Sequence, residues 1–174
     1  MTIEELYLKT IFCCIACDGE IADEEVNLVK DLCSNTDFFN DLDVTSHLNN
    51  WIDEINHKGR SFLRTFLSEV AEQEMSEEEQ MTLIELSFQA IEADNRIEYA
   101  EVKFFKKIRF RLSVSDETIL TKYPDKEDFL LPDNNVVEDP DWNDGTQFSP
   151  IQLTDFNQSE TDLLSPVSED KNDN

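Results

Sequence analysis

Apolar side chains recur at intervals of three and four along most of the first 123 residues. After Thr2, the positions Ile3, Leu6, Tyr7, Thr10 or Ile11, Cys14 and Cys17 form one stripe, as expected of a helix that buries a single face. Val26, Val29 and Leu32 mark the inner side of a second helix from about Asp23 to Cys33. Further helices are expected at 44–57 (Val44, Leu48, Trp51 or Ile52, Ile55), 60–75 (Phe62, Leu63, Phe66, Leu67, Val70), 77–93 and 98–112, with a short one at 116–122. Thr2-x-x-Glu5 and Ser76-x-x-Glu79 have the spacing of a capping box, in which a hydroxyl and an acid three residues later satisfy free N–H groups at a helix start. No alternating segment bounded by hairpin turns competes, so the expected class is all-α, a compact bundle of about seven helices.

The helices repeat. At an offset of 76 residues, Phe12 pairs with Phe88, Ile15 with Ile91, Asp18 with Asp94, Ile21 with Ile97, Glu25 with Glu101, Val26 with Val102 and Leu32 with Ile108. The chain therefore reads as two pseudo-symmetric copies of a helix-corner-helix unit. Each corner runs Asp, then Gly19 or Asn95, then Ile, then Glu seven positions after the Asp. Gly adopts positive φ freely and Asn tolerates it, so both are natural helix stops. Ile21 and Ile97 are expected to plug the angle between the helices. Glu25 and Glu101 then fall in the first turn of the next helix, where a carboxylate meets unpaired N–H groups and the positive end of the dipole.

Two readings of the acids stand side by side. Helix-corner chemistry explains them without any ligand. Alternatively, packing of the halves about a twofold axis brings Asp18, Glu25, Asp94 and Glu101 together, and such hard oxygen ligands suit Ca²⁺, Mg²⁺ or Mn²⁺. The spacing is not that of an EF-hand, because Ile21 and Ala22 occupy the middle of the corner where oxygen ligands would be needed.

The paired corners, Ala-Cys-Asp-Gly-Glu-Ile-x-x-x-Glu at 16–25 and Ala-Asp-Asn-x-Ile-x-x-x-Glu at 93–101, set among about seven helices, resemble those of the TerB-like family, named for a tellurite-resistance protein. The N-terminal domain of DjlA-type co-chaperones is similar. The resemblance covers residues 1–122. It implies a pseudo-symmetric helical domain of the cytoplasm, associated with stress and with metal or oxyanion resistance, with divalent-metal binding at the acidic corners and no catalysis. By position, the family's acidic sites fall on Asp18, Glu25, Asp94 and Glu101. Where the family often carries a hydroxyl cap, this chain has Ala22 and Glu98, so the cap is weaker or made differently.

Composition sharpens the picture. The 174 residues carry 14 Lys+Arg against 40 Asp+Glu, a formal charge of −26. Such a surface repels phosphate backbones and anionic lipid, so nucleic acid is not an expected partner, whereas cations or a protein partner are. Residues 1–123 lack proline, but 124–174 hold all five prolines with 14 acidic and 2 basic residues. That stretch reads as an acidic tail, whether solvating, folded back on the helical domain or ordered by a partner. No apolar run approaches the length of about 20 residues needed to span a bilayer, and the start MTIEELYLKT lacks the basic-then-apolar order of a signal peptide, so the expected location is cytoplasmic.

Cys13, Cys14, Cys17 and Cys33 include one two-residue spacing used by metal and redox sites, but Cys14 and Cys17 fall near a helix C-terminus, where nothing lowers a thiol pKa. They are expected to pack as small reduced apolar groups. His47 and His57, about 80° apart on one helix, have no nucleophile or glycine-rich loop nearby, and no phosphate-binding loop, nucleophile elbow or His-Glu-x-x-His is present. The sequence therefore points away from an enzyme. Lys103, Lys106, Lys107, Arg109 and Arg111 crowd one helix, opposed in sign to the rest of the chain. That helix is either a solvated face or a dock for the acidic tail or an acidic partner.

Overall fold

A helix that is apolar on every side must be surrounded, and α1 (Ile3–Ile15) is such a helix: every residue from Leu6 to Ala16 is buried. The computed structural model describes residues 1–132 apart from 20, 22, 36 and 94. Around α1 lie α2 (Asp23–Asn35), a 3₁₀ turn (Asp37–Phe39), α3 (Val44–Lys58), α4 (Arg60–Glu72), α5 (Glu77–Ile91) and α6 (Tyr99–Arg109). After α6 come α7 (Asp116–Lys122), a second 3₁₀ turn (Pro124–Lys126) and the single turn of α8 (Glu127–Leu130). No strand occurs among the described residues. The all-α bundle with its pseudo-symmetric repeats is thus as the pattern requires.

One expectation changes. The stripe on α1 predicts a single buried face, yet its whole circumference is covered, because its polar members find partners inside. Thr10 Oγ1 donates to the Leu6 carbonyl at 2.7 Å. Lys9 Nζ donates to both carboxylate oxygens of Glu69 on α4, at 3.0 and 2.7 Å, with its charge over the Phe62 ring.

α1 packs most extensively on α5, its repeat equivalent, so the two first helices of the copies form the centre. Aromatic rings join α1 to the helices around it and those helices to each other: Phe12 meets Trp51 of α3 at 5.8 Å and Phe62 of α4 at 6.0 Å, and Phe66 of α4 meets Phe104 of α6 at 6.1 Å. Helix starts are capped as the sequence indicates. Thr2 Oγ1 accepts from the Glu5 N–H, and Ser76 with Glu79 closes a reciprocal box. Gln80, buried near the start of α5, ties that helix to the α6–α7 link. Its amide oxygen accepts from the N–H groups of Ser113 and Val114, and its amide nitrogen donates to the Met75 carbonyl.

The packed body continues past residue 123. Phe129 is buried against Phe88 and Phe105, with ring centroids 5.3 and 5.8 Å away, and Lys126 pairs with Glu92. The first residues of the acidic segment therefore return to α5 and α6 through an aromatic anchor and a cation. Residues 133–174, the rest of that acidic segment, lie outside the described residues.

Candidate functional site

The two corners are built alike. In the first, α1 ends and Ala16 (φ −95°, ψ 0°) donates its N–H to the Phe12 carbonyl at 3.0 Å. Gly19 then turns the chain at φ 95°, its N–H donating to the Ala16 carbonyl at 3.2 Å. In the second, Glu92 (φ −97°, ψ 2°) donates to Phe88 at 3.0 Å, and Asn95 (φ 59°) donates to Glu92 at 3.2 Å. The next helices, α2 and α6, begin at residues 23 and 99, again 76 apart. The positive φ at Gly19 and Asn95 is the stop that the sequence calls for.

The acids divide by depth. Glu25 and Glu101, third residues of α2 and α6, are 6% and 5% exposed. Asp18 is exposed, and Asp94 lies outside the described residues. Glu101 Oε2 accepts the Glu98 backbone N–H at 2.7 Å, the reach-back half of a capping box in which the Glu98 side chain stands where the family resemblance leads one to expect a hydroxyl.

Cys14, buried on α1, feels both buried acids. Its thiol is pushed up to about 12, first by burial and then by the negative charges of Glu101 and Glu25, while a hydrogen bond with Ser87 acts the other way. Acids from both corners thus add to the negative field at one buried thiol. Cys17, one turn later, is raised well above its ordinary value by burial, with Cys14, Asp18 and Glu101 adding to it. Ser87 is fully buried, donates to the Leu83 carbonyl at 2.8 Å, and stands at the repeat position of Ile11. Only the break in apolar pairing at that position marks it in the sequence.

Among the described residues, no group of three or more His, Cys, Asp or Glu side chains is arranged to hold a metal ion. The two buried glutamates supply the hard oxygen donors that a divalent cation prefers over sulfur. All four cysteines are free thiols. Cys13 and Cys14 are fully buried among apolar neighbours, in keeping with packing as their main role.

Ile97 departs from its expected place. Ile21 is half-buried against the core, but Ile97 is 49% exposed. In the second copy the rings of Phe88 and Phe105, 4.7 Å apart, fill the angle between α5 and α6 from the helices themselves, where the first copy has Phe12 and the smaller Val29. An isoleucine plug is therefore superfluous there. The histidines are ordinary partly exposed or exposed groups: the His47 ring lies tilted against Trp51, 5.3 Å between centroids, and approaches Glu5 at 3.7 Å, and His57 Nδ1 lies 2.6 Å from the Asp53 carbonyl.

No family model, curated protein or solved structure matches the chain. Among the described residues no helix is long and apolar enough to cross a membrane. The functional reading accordingly rests on the corners themselves.

Proposed function

We propose that this chain is a TerB-like helical module of the stress- and tellurite-resistance type, acting in the cytoplasm without catalysis and binding a divalent cation at its acidic corners. The observation that carries this reading is the burial of Glu25 and Glu101 at equivalent positions of two equivalent corners. Burial disfavours the charged form of each carboxylate, and a cation bound by the pair offsets that negative charge. Glu25 and Glu101 are the inner ligands in this proposal, with Asp18 and Asp94 completing the shell from the corner loops. Ca²⁺, Mg²⁺ and Mn²⁺ are the suitable ions, since the donors are oxygen throughout.

Calorimetric titration of the full chain with each ion tests the reading. Saturable binding near one equivalent, weakened at least tenfold in both Glu25→Gln and Glu101→Gln, is expected. Absence of saturable heat at millimolar ion overturns it.

A second reading is favoured by one specific bond. Because Glu101 caps the Glu98 N–H, the corner acids also serve as architecture alone. On that reading the module is a metal-independent protein-interaction domain, comparable to a co-chaperone's accessory domain, that uses its helical body and acidic tail. The same titration separates the two.

A further inference from the structure

The outward face of α6 is basic and aromatic in a protein whose formal charge is −26. Its inner side, Glu101, Phe104, Phe105 and Ile108, is buried. Tyr99, Lys103, Lys106 and Phe110 fall on the opposite side within an arc of about 60°, with Lys107 at its margin. Tyr99 is 60% exposed and Phe110 is 74% exposed, the most exposed large apolar side chain described. Lys103 Nζ lies 5.8 Å over the Tyr99 ring. The result is a basic stripe about 16 Å long with an aromatic ring at each end. Exposed rings flanking a line of like charges favour a ligand that is both acidic and aromatic.

Such a ligand lies close by in the same chain. α8 packs on α6 through Phe129 and Phe105, on the inner side of that helix, and Pro132 follows Phe129 by three residues. Six residues later comes Glu138-Asp139-Pro140-Asp141-Trp142-Asn143-Asp144, with four acids around one tryptophan. Six residues reach up to about 20 Å, and an extended run of five or six residues matches the stripe. A tether this short gives an effective concentration in the millimolar range, so a weak contact is populated within one molecule.

We propose that the Glu138–Asp144 segment docks on the Tyr99–Phe110 face of α6, Trp142 against an exposed ring and its acids against Lys103, Lys106 and Lys107. The segment thereby occupies the face on which an acidic partner would otherwise land, so that partner must displace it. This inference is independent of the corner acids and of any cation.

The test is fluorine NMR on the full chain carrying 5-fluorotryptophan, whose two tryptophans give two resonances; Trp142→Phe assigns them. Trp51, buried in the core, reports whether the fold is intact. At low salt the Trp142 resonance is expected to be broadened and shifted from its random-coil position. It returns to that position in Lys103→Glu/Lys106→Glu/Lys107→Glu and at 1 M NaCl (about a 3 Å screening length), while the Trp51 resonance stays put. A random-coil Trp142 signal in the parent chain at low salt overturns the proposal. So does a shift that depends on protein concentration, which would place the contact between molecules.

Discussion

Lys9 and Glu85 occupy the same position in the two copies of the repeat with opposite charge, and each finds its counter-ion elsewhere in the fold: Lys9 on Glu69 at 2.7 Å, Glu85 on Lys122 at 2.8 Å. Pseudo-symmetry therefore stops at the backbone and the apolar core. Each copy makes its own polar ties to the helices around it, α4 in one case and α7 in the other.

The Lys9 pair is asymmetric, and so are its predicted variants. Lys9 is 10% exposed at its side chain and Glu69 is 28% exposed. Glu69→Ala strands a buried ammonium and is expected to cost about 2–3 kcal/mol, somewhat less than the roughly 3–5 kcal/mol of a fully buried pair, because water reaches the site from the Glu69 side. Lys9→Met leaves a carboxylate that can turn to water, and is expected to cost under about 1 kcal/mol. Urea denaturation measures both. Equal losses would show that the pair has no buried member.

At the corners the prediction is conformational. Gly19 and Asn95 both require positive φ, so Gly19→Val and Asn95→Val are each expected to lose about 1–2 kcal/mol. Asn95→Gly, which relieves that strain, should be neutral or slightly stabilising. Thermal unfolding of the three variants checks this. A tolerated valine at either position would remove the equivalence of the corners.

The thiols should be slow to react. Burial raises Cys14 to about 12 and Cys33 to about 11, and raises Cys13 and Cys17 as well. At pH 8, only on the order of one Cys33 thiol in a thousand is thiolate, and fewer at Cys14. Dithionitrobenzoate is expected to leave Cys13 and Cys14 unmodified over minutes in the native protein and to titrate four thiols in guanidinium. Rapid native reaction of Cys14 would contradict the packing described.

Acid should loosen the α5–α7 contact. Hydrogen bonds from Lys122 and Tyr123 lower the Glu85 carboxyl below its ordinary 4.5. A folded-state pKa below the unfolded one gives stability that is present above the unfolded value and is lost as pH falls through the folded one. Stability should therefore decline below about pH 4.5, and Glu85→Gln should make that acid limb shallower while leaving neutral-pH helix content unchanged. An identical acid limb in the variant removes Glu85 from the account.

Much of this was legible in the residues. The first seven α-helices follow from spacing and caps, because Thr2, Ser76, Gly19 and Asn95 punctuate the chain where the backbone needs a hydroxyl or a positive φ. Encirclement of α1 was hidden, since the stripe predicts one buried face and Lys9 falls outside it, until Glu69 is seen to hold its ammonium inside. The turn at Glu127–Leu130 was hidden for the opposite reason: prolines and acids surround Phe129, and only the waiting rings of Phe88 and Phe105 give it a place. At the corners, the spacing identified Glu25 and Glu101 but not their depth. Depth depends on how α1 meets α5, a long-range contact that local periodicity does not encode.

The central claim is that the two corners act as one cation site. Manganese broadening of backbone amide NMR signals in the full chain tests it most directly, because the ion erases signals near wherever it sits. The account predicts that, at a few hundredths of an equivalent of Mn²⁺, the signals of Gly19 and Asn95 fade together before any others. Fading that begins at Glu77–Glu79 or along residues 133–174, with both corners spared, would mean that the ion follows bulk negative charge and that the paired glutamates hold no metal.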